Sequence, residues 1–177
     1  MKERKCKICS ANFKPVYSTT QMVCSVTCSV VYKNKLNDKA WAKKKKDMKE
    51  KLLTVQELMK TAQIVFNKYI RLRDAGKKCI SCGQVPKKEN AGHYFSAGTH
   101  TAVRYDEMNV HLQCEHCNTY LSGNLIEYRK GLLSKIGYDE YALLEAKAND
   151  TRKFTKEELF DIIKIYKEKI NEIKNKK

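Results

Sequence analysis

Cys79-Ile80-Ser81-Cys82-Gly83, Ala91-Gly92-His93-Tyr94, Asn109-Val110-His111-Leu112-Gln113-Cys114-Glu115-His116-Cys117-Asn118 and Ser122-Gly123-Asn124 follow one another in the middle of the chain. In this stretch two cysteine doublets bracket a histidine. Each doublet offers two thiolates from one tight turn, and two such turns complete a tetrahedral Zn²⁺ site with no open position. Upstream, Cys6-x2-Cys9 and Cys24-x3-Cys28 repeat the pattern, so the 8 cysteines fall into doublets with none left over. A disulfide framework belongs to exported proteins, and the Lys-rich start holds no apolar signal segment. Two structural zincs are therefore expected. Pairing neighbouring doublets closes the shorter loops, which gives one ion to Cys6, Cys9, Cys24 and Cys28 and the other to Cys79, Cys82, Cys114 and Cys117.

The 177 residues allow one ordinary core or two small modules. Lys and Arg number 36 against 20 Asp and Glu, a formal net charge of +16, which makes nucleic acid the leading partner class. The excess is uneven: 14 of the cations and only 4 of the acids lie in residues 1–51. No run of about 18 apolar residues occurs, so no membrane helix or membrane partner is expected, and the cytoplasm is the expected compartment.

Residues 6–28 contain too few apolar side chains for a core, so the metal should supply most of the folding free energy there, on the order of 10 kcal/mol. From 29 to 51 the chain lacks Gly and Pro and places Lys43, Lys44, Lys45 and Lys46 beside Trp41. This predicts a basic helix, either in contact with phosphates or simply a solvated face. Thr54-Val55-Gln56-Glu57 has the capping-box pattern, and Leu58, Met59, Ala62, Val65, Phe66, Tyr69 and Leu72 recur at helical steps before Gly76. A short helix is expected from Tyr138 to Ala148. Thr155 and Glu158 form a second capping box ahead of Leu159, Ile162, Ile163, Tyr166 and Ile170. The C-terminal helix should pack against the 54–75 helix.

The central stretch resembles the zinc-braced ββα-metal, or HNH, nucleases. They share a Cys doublet, a His on the first strand, an Asn ahead of the second doublet, and an Asn or His directly after the last Cys. With the Gly-His-Tyr, the Ser-Gly-Asn and the N-terminal four-Cys knuckle added, the chain resembles the phage NinG (Rap) recombination endonuclease family over nearly its whole length. The resemblance implies an α+β protein in four parts: an N-terminal zinc knuckle (1–33), a basic and amphipathic helical arm (34–76), an HNH-like nuclease core (77–131) and C-terminal helices (132–177). It also implies a metal-dependent endodeoxyribonuclease working in the host-cell cytoplasm on branched DNA, such as Holliday junctions and D-loops, during phage recombination.

Phosphodiester hydrolysis needs an activated water, charge stabilisation on the phosphoryl oxygens and help for the departing 3′ oxygen. His93 suits the first task, because imidazole titrates near neutral pH. A hard cation, Mg²⁺ or less favourably Mn²⁺, suits the others. By the resemblance Asn118, with His93, would hold that cation, and Asn109 would orient His93 or hold the loop. Most HNH nucleases carry an Asp directly before the hairpin His, where this chain has Gly92, so either another acid binds the metal, with Glu89, Asp106 and Glu115 as candidates, or a water fills the place. Arg104 could clamp the scissile phosphate, or pair with Asp106 at the surface. His111 and His116 are either further phosphate or metal contacts or exposed positions. Cutting a four-way junction needs paired incisions, so a homodimer is an option, with 138–177 as a candidate surface. The rival readings are a non-catalytic zinc-dependent DNA-binding protein and an RNA-binding zinc protein.

Overall fold

The computed structural model describes residues 2–176 and is an α+β structure with two small sheets. The chain divides into two compact units between Leu53 and Thr54. In the first, β1 (Arg4–Lys5) and β2 (Asn12–Phe13) pair antiparallel across the first cysteine doublet. The helix α1 (Val26–Leu52) begins at Ser25, whose hydroxyl accepts from the Cys28 N–H at 3.2 Å. Cys28 thus lies in the first turn of α1, and knuckle and basic helix form one body. The boundary drawn at 33/34 passes through this helix, and the division between units falls inside the expected 34–76 arm.

The second unit opens where the capping box predicts. Thr54 Oγ1 accepts from the Glu57 N–H at 3.2 Å, and Glu57 Oε2 accepts from the Thr54 N–H at 2.8 Å. The helix that follows, α2 (Val55–Arg73), buries Leu58, Ala62, Phe66, Tyr69 and Ile70. At the far end of the unit, α5 (Lys156–Asn175) is capped in the same way by Thr155 and Glu158 and buries Leu159, Ile163, Tyr166 and Ile170. The two helices pack together as the periodicity predicts, with the rings of Phe66 and Tyr166 edge-on at 4.8 Å. Each such side chain contributes roughly 1.5–3 kcal/mol by leaving water.

Between these helices lie β3 (Glu89–His93) and β4 (Val110–Cys114), antiparallel, with Glu89 paired to Cys114 and His93 to Val110. Val110 joins the α2–α5 core. A second core unites Val103 with Tyr128 and Leu132 of α3 (Leu125–Ile136) and with Tyr141, Leu144 and Ala148 of α4 (Tyr138–Ala148). α3 runs unbroken across the expected 131/132 boundary, because Tyr128 and Leu132 fill one core together. It presses on the second cysteine knuckle: a Cβ added at Gly131 would lie 2.1 Å from the Ile80 carbonyl oxygen.

α2 is tied to the hairpin by charge. Asp74, at the end of α2 and 1 % exposed, accepts from Arg73 Nη2 at 2.7 Å, from Lys77 Nζ at 2.9 Å and from the Leu112 N–H at 3.3 Å. Arg73 in turn donates to the carbonyls of Glu107 and Val110. Burial alone would raise the Asp74 carboxyl; these donors overcome it and hold the group well below the usual carboxylate range. Among the described residues, no helix is long and apolar enough to cross a membrane.

Candidate metal centres and active site

The sulfurs gather as the doublets predict. Cys6, Cys9, Cys24 and Cys28 form one group and Cys79, Cys82, Cys114 and Cys117 the other, with the ligand atoms of each group within 4.8 Å of one another. The two knuckles are built alike. Cys6 N–H donates to Ala11 O at 2.9 Å and Ser10 N–H to Cys6 O at 3.0 Å; Cys79 N–H donates to Gln84 O at 2.8 Å and Gly83 N–H to Cys79 O at 2.9 Å. All eight cysteines are free thiols. Sulfur pairs such as Cys9–Cys24 at 3.5 Å, Cys24–Cys28 at 3.7 Å and Cys82–Cys114 at 3.8 Å lie far beyond an S–S bond. They match the edge of about 3.8 Å that Zn–S bonds of about 2.3 Å give a tetrahedron.

The Cys9 backbone N–H favours the Cys6 thiolate and holds that thiol down to about 6, while the neighbouring Cys9 sulfur pushes Cys24 up to about 12. Four crowded sulfurs resist joint ionisation unless a cation is shared, so the donor set fits Zn²⁺ in both places.

His93 ends β3, four residues and about 13 Å along the strand from the pairing of Glu89 with Cys114. It is half-buried, and its Nε2 lies 3.2 Å from the Arg104 carbonyl oxygen. That carbonyl accepts when the proton sits on Nε2, which leaves the Nδ1 lone pair as the base; in the other tautomer the Gln63 amide nitrogen, 3.4 Å from the same Nε2, can donate to it. Burial lowers the pKa below the ordinary imidazole value, outweighing the Arg104 carbonyl, which favours the protonated ring. The ring is therefore neutral at pH 7.

Gln63 of α2 is the residue that helical periodicity does not single out. Its Oε1 accepts from Arg104 Nε at 3.0 Å, its Nε2 donates to Asn67 Oδ1 at 2.8 Å, and the same nitrogen lies 3.4 Å from His93 Nε2. Arg104 also donates from Nη1 to Ala97 O at 3.3 Å. It makes no ion pair with Asp106, which pairs instead with Lys147 at 2.5 Å. His93 and Arg104 thus share one polar neighbourhood, joined through Gln63.

Asn109 is fully buried and holds the loop between the strands. Its Oδ1 accepts from Phe95 N–H at 2.8 Å, and its Nδ2 donates to Phe95 O at 2.9 Å and Val103 O at 3.0 Å. It does not hydrogen-bond the imidazole. Asn118 follows Cys117 in a single wide turn, His116–Tyr120, rather than opening a long helix, and among the described residues no side-chain hydrogen bond holds it. No hydrogen bond joins the Asn118 side chain to His93 among the described residues. His111 is buried, and desolvation pushes it down to about 3. It is therefore neither a phosphate contact nor an exposed position. His116 is exposed beside Tyr120. Lys43, Lys44, Lys45 and Lys46 are all exposed on α1.

The candidate acids do not assemble around His93. Glu115 is ion-paired with Lys88, Asp106 with Lys147, and Glu89 lies at the cysteine end of β3. Among the described residues the only groups of His, Cys, Asp or Glu able to hold a metal are the two cysteine tetrads. Zn²⁺ fits those. Among the described residues no group of three or more His, Cys, Asp or Glu gathers beside His93, and the space behind Gly92 is filled by Gln113.

The family model described as Bacteriophage Lambda NinG protein matches residues 1–176. Protein ninG of Escherichia phage 933W is 33% identical over 190 residues, covering 97% of this chain and 94% of that protein. Protein ninG of Escherichia phage lambda is 38% identical over 118 residues, covering 66% of this chain and 57% of that one. Protein ninG of Enterobacteria phage H19B is 33% identical over 168 residues, covering 84% and 83%. No solved structure matches the chain.

Proposed function

The chain belongs to the bacteriophage lambda NinG family, and from that premise we propose that it is an endonuclease of the zinc-braced HNH kind, hydrolysing phosphodiester bonds in branched DNA. The carrying observation is the half-buried His93 with its Nε2 3.2 Å from the Arg104 carbonyl and its pKa lowered by burial, while Gln63 keeps the Arg104 guanidinium in the same neighbourhood; the base is the Nε2–H tautomer. Nδ1 accepts a proton from water as the water oxygen bonds to phosphorus. The bond from phosphorus to the 3′ oxygen breaks, that oxygen takes up a proton, and a 5′ phosphate and a 3′ hydroxyl result. Arg104 neutralises charge on the phosphoryl oxygens. Asn109 acts on the loop and not on the substrate. Zn²⁺ in the second tetrad would support the hairpin, and no step is assigned to a further cation.

The absence of a carboxylate cluster beside His93 among the described residues favours a second reading, a zinc-dependent DNA-binding protein without catalysis. Incubation of labelled four-way junction, linear duplex and single strand with Mg²⁺, with Mn²⁺ or with chelator separates the two. Nicking of the junction that is lost in His93→Ala supports the nuclease. Binding without nicking under every condition supports the second reading.

A further inference from the structure

α2 carries its only acid, Glu57, in its first turn, where the Thr54 cap engages it. Beyond it the helix carries no acid, and the face flanking His93 is polar and basic apart from the exposed Ile64. At 3.6 residues per turn, Lys60, Asn67 and Arg71 lie within roughly 40° of one another around the axis and span about 16 Å along it. Gln63, in contact with both His93 and Arg104, borders this row, and the exposed Ile64 lies within it. Among the described residues neither Lys60 nor Arg71 forms a salt bridge, whereas Arg73, on the opposite flank, is committed to Asp74 and Glu107. The cations on this face are thus not spent on the fold.

We infer that this flank of α2 is a phosphate track: Lys60, Asn67 and Arg71 hold successive phosphates of one DNA strand and so lead the scissile phosphate to His93 and Arg104. The inference rests on the nucleic-acid reading proposed above and adds a binding surface in the second unit to the basic helix of the first. Lys and Arg supply charge and Asn67 a neutral amide, a combination suited to backbone contact without base reading.

The test is fluorescence anisotropy with a labelled four-way junction and the full chain, in chelator so that no cleavage intervenes, over a series of salt concentrations. Zinc content and far-UV circular dichroism confirm that each variant is folded. Lys60→Ala/Arg71→Ala is expected to weaken binding at least about tenfold and to lower the slope of log affinity against log salt by about 2. Asn67→Ala should weaken binding with the slope unchanged. Wild-type affinity and slope in the double variant overturn the track while leaving the nucleic-acid reading intact. No junction binding by the wild-type chain overturns both. Tighter binding of a structured RNA of equal length overturns the assignment to DNA.

Discussion

Gln113 occupies the space that a side chain at position 92 would need: a Cβ built on Gly92 would lie 2.1 Å from Gln113 Oε1 and 3.0 Å from Gln113 Cβ. The Gln113 amide is fixed by donation to Ser81 Oγ at 2.7 Å and to the Gly123 carbonyl at 2.5 Å, so it cannot easily swing aside. The glycine before His93 is thus the counterpart of a glutamine across the hairpin. Gly92→Ala should cost roughly 1–3 kcal/mol through overpacking. In the background of Gln113→Ala that cost should fall by at least about 1 kcal/mol. Urea denaturation of the four chains of this double-mutant cycle measures the coupling, and strictly additive losses would contradict the contact.

Removing the imidazole should abolish cleavage without abolishing binding. His93→Ala is expected to lose at least about 10²-fold in nicking rate while retaining junction affinity and zinc content. Because burial lowers the His93 pKa, the acid limb of the wild-type rate profile should lie below the ordinary imidazole range. A limb centred above 6.5 would show that another group is the base.

Asp74 sets the acid stability of the second unit. Its folded-state pKa is depressed, so its contribution is fully present above the unfolded carboxyl value of about 3.9. It fades as the pH falls below that value toward the folded-state pKa. Asp74→Asn leaves Arg73 and Lys77 facing a neutral amide and should cost about 3 kcal/mol at pH 7. The gap between variant and wild type should narrow on acidification, as thermal melts followed by circular dichroism at several pH values would show.

The metal content should be two Zn²⁺ per chain, released by thiol-reactive mercurial and counted with a chromogenic chelator. Cys79→Ser should lose one ion and the cooperative melting of the second unit. Cys6→Ser should lose the other ion and spare that transition, because the two tetrads belong to separate compact units.

Much of this was legible locally. Thiol spacing set both tetrads, and the Thr54 and Thr155 caps started α2 and α5 at the expected residues, because such signals involve side chains only a few positions apart. The match of α2 with α5 followed from apolar periodicity. Gln63 escaped notice since a glutamine on the polar side of an amphipathic helix has no signature until Arg104, 41 residues later, folds against it. The burial of His111 was hidden for another reason: Val110-His111-Leu112-Gln113 alternates apolar and polar residues as a half-exposed strand does, yet all four are buried, with the Tyr128 ring of α3 against His111.

The absence of clearance between Gly131 and the Ile80 carbonyl makes α3 a stiff pushrod. Its Tyr128, three positions back, grips the Gly92 carbonyl with its hydroxyl at 2.8 Å, next door to the imidazole. An ion held by Cys79, Cys82, Cys114 and Cys117 would therefore bear, through α3, on the backbone next to a residue it never touches.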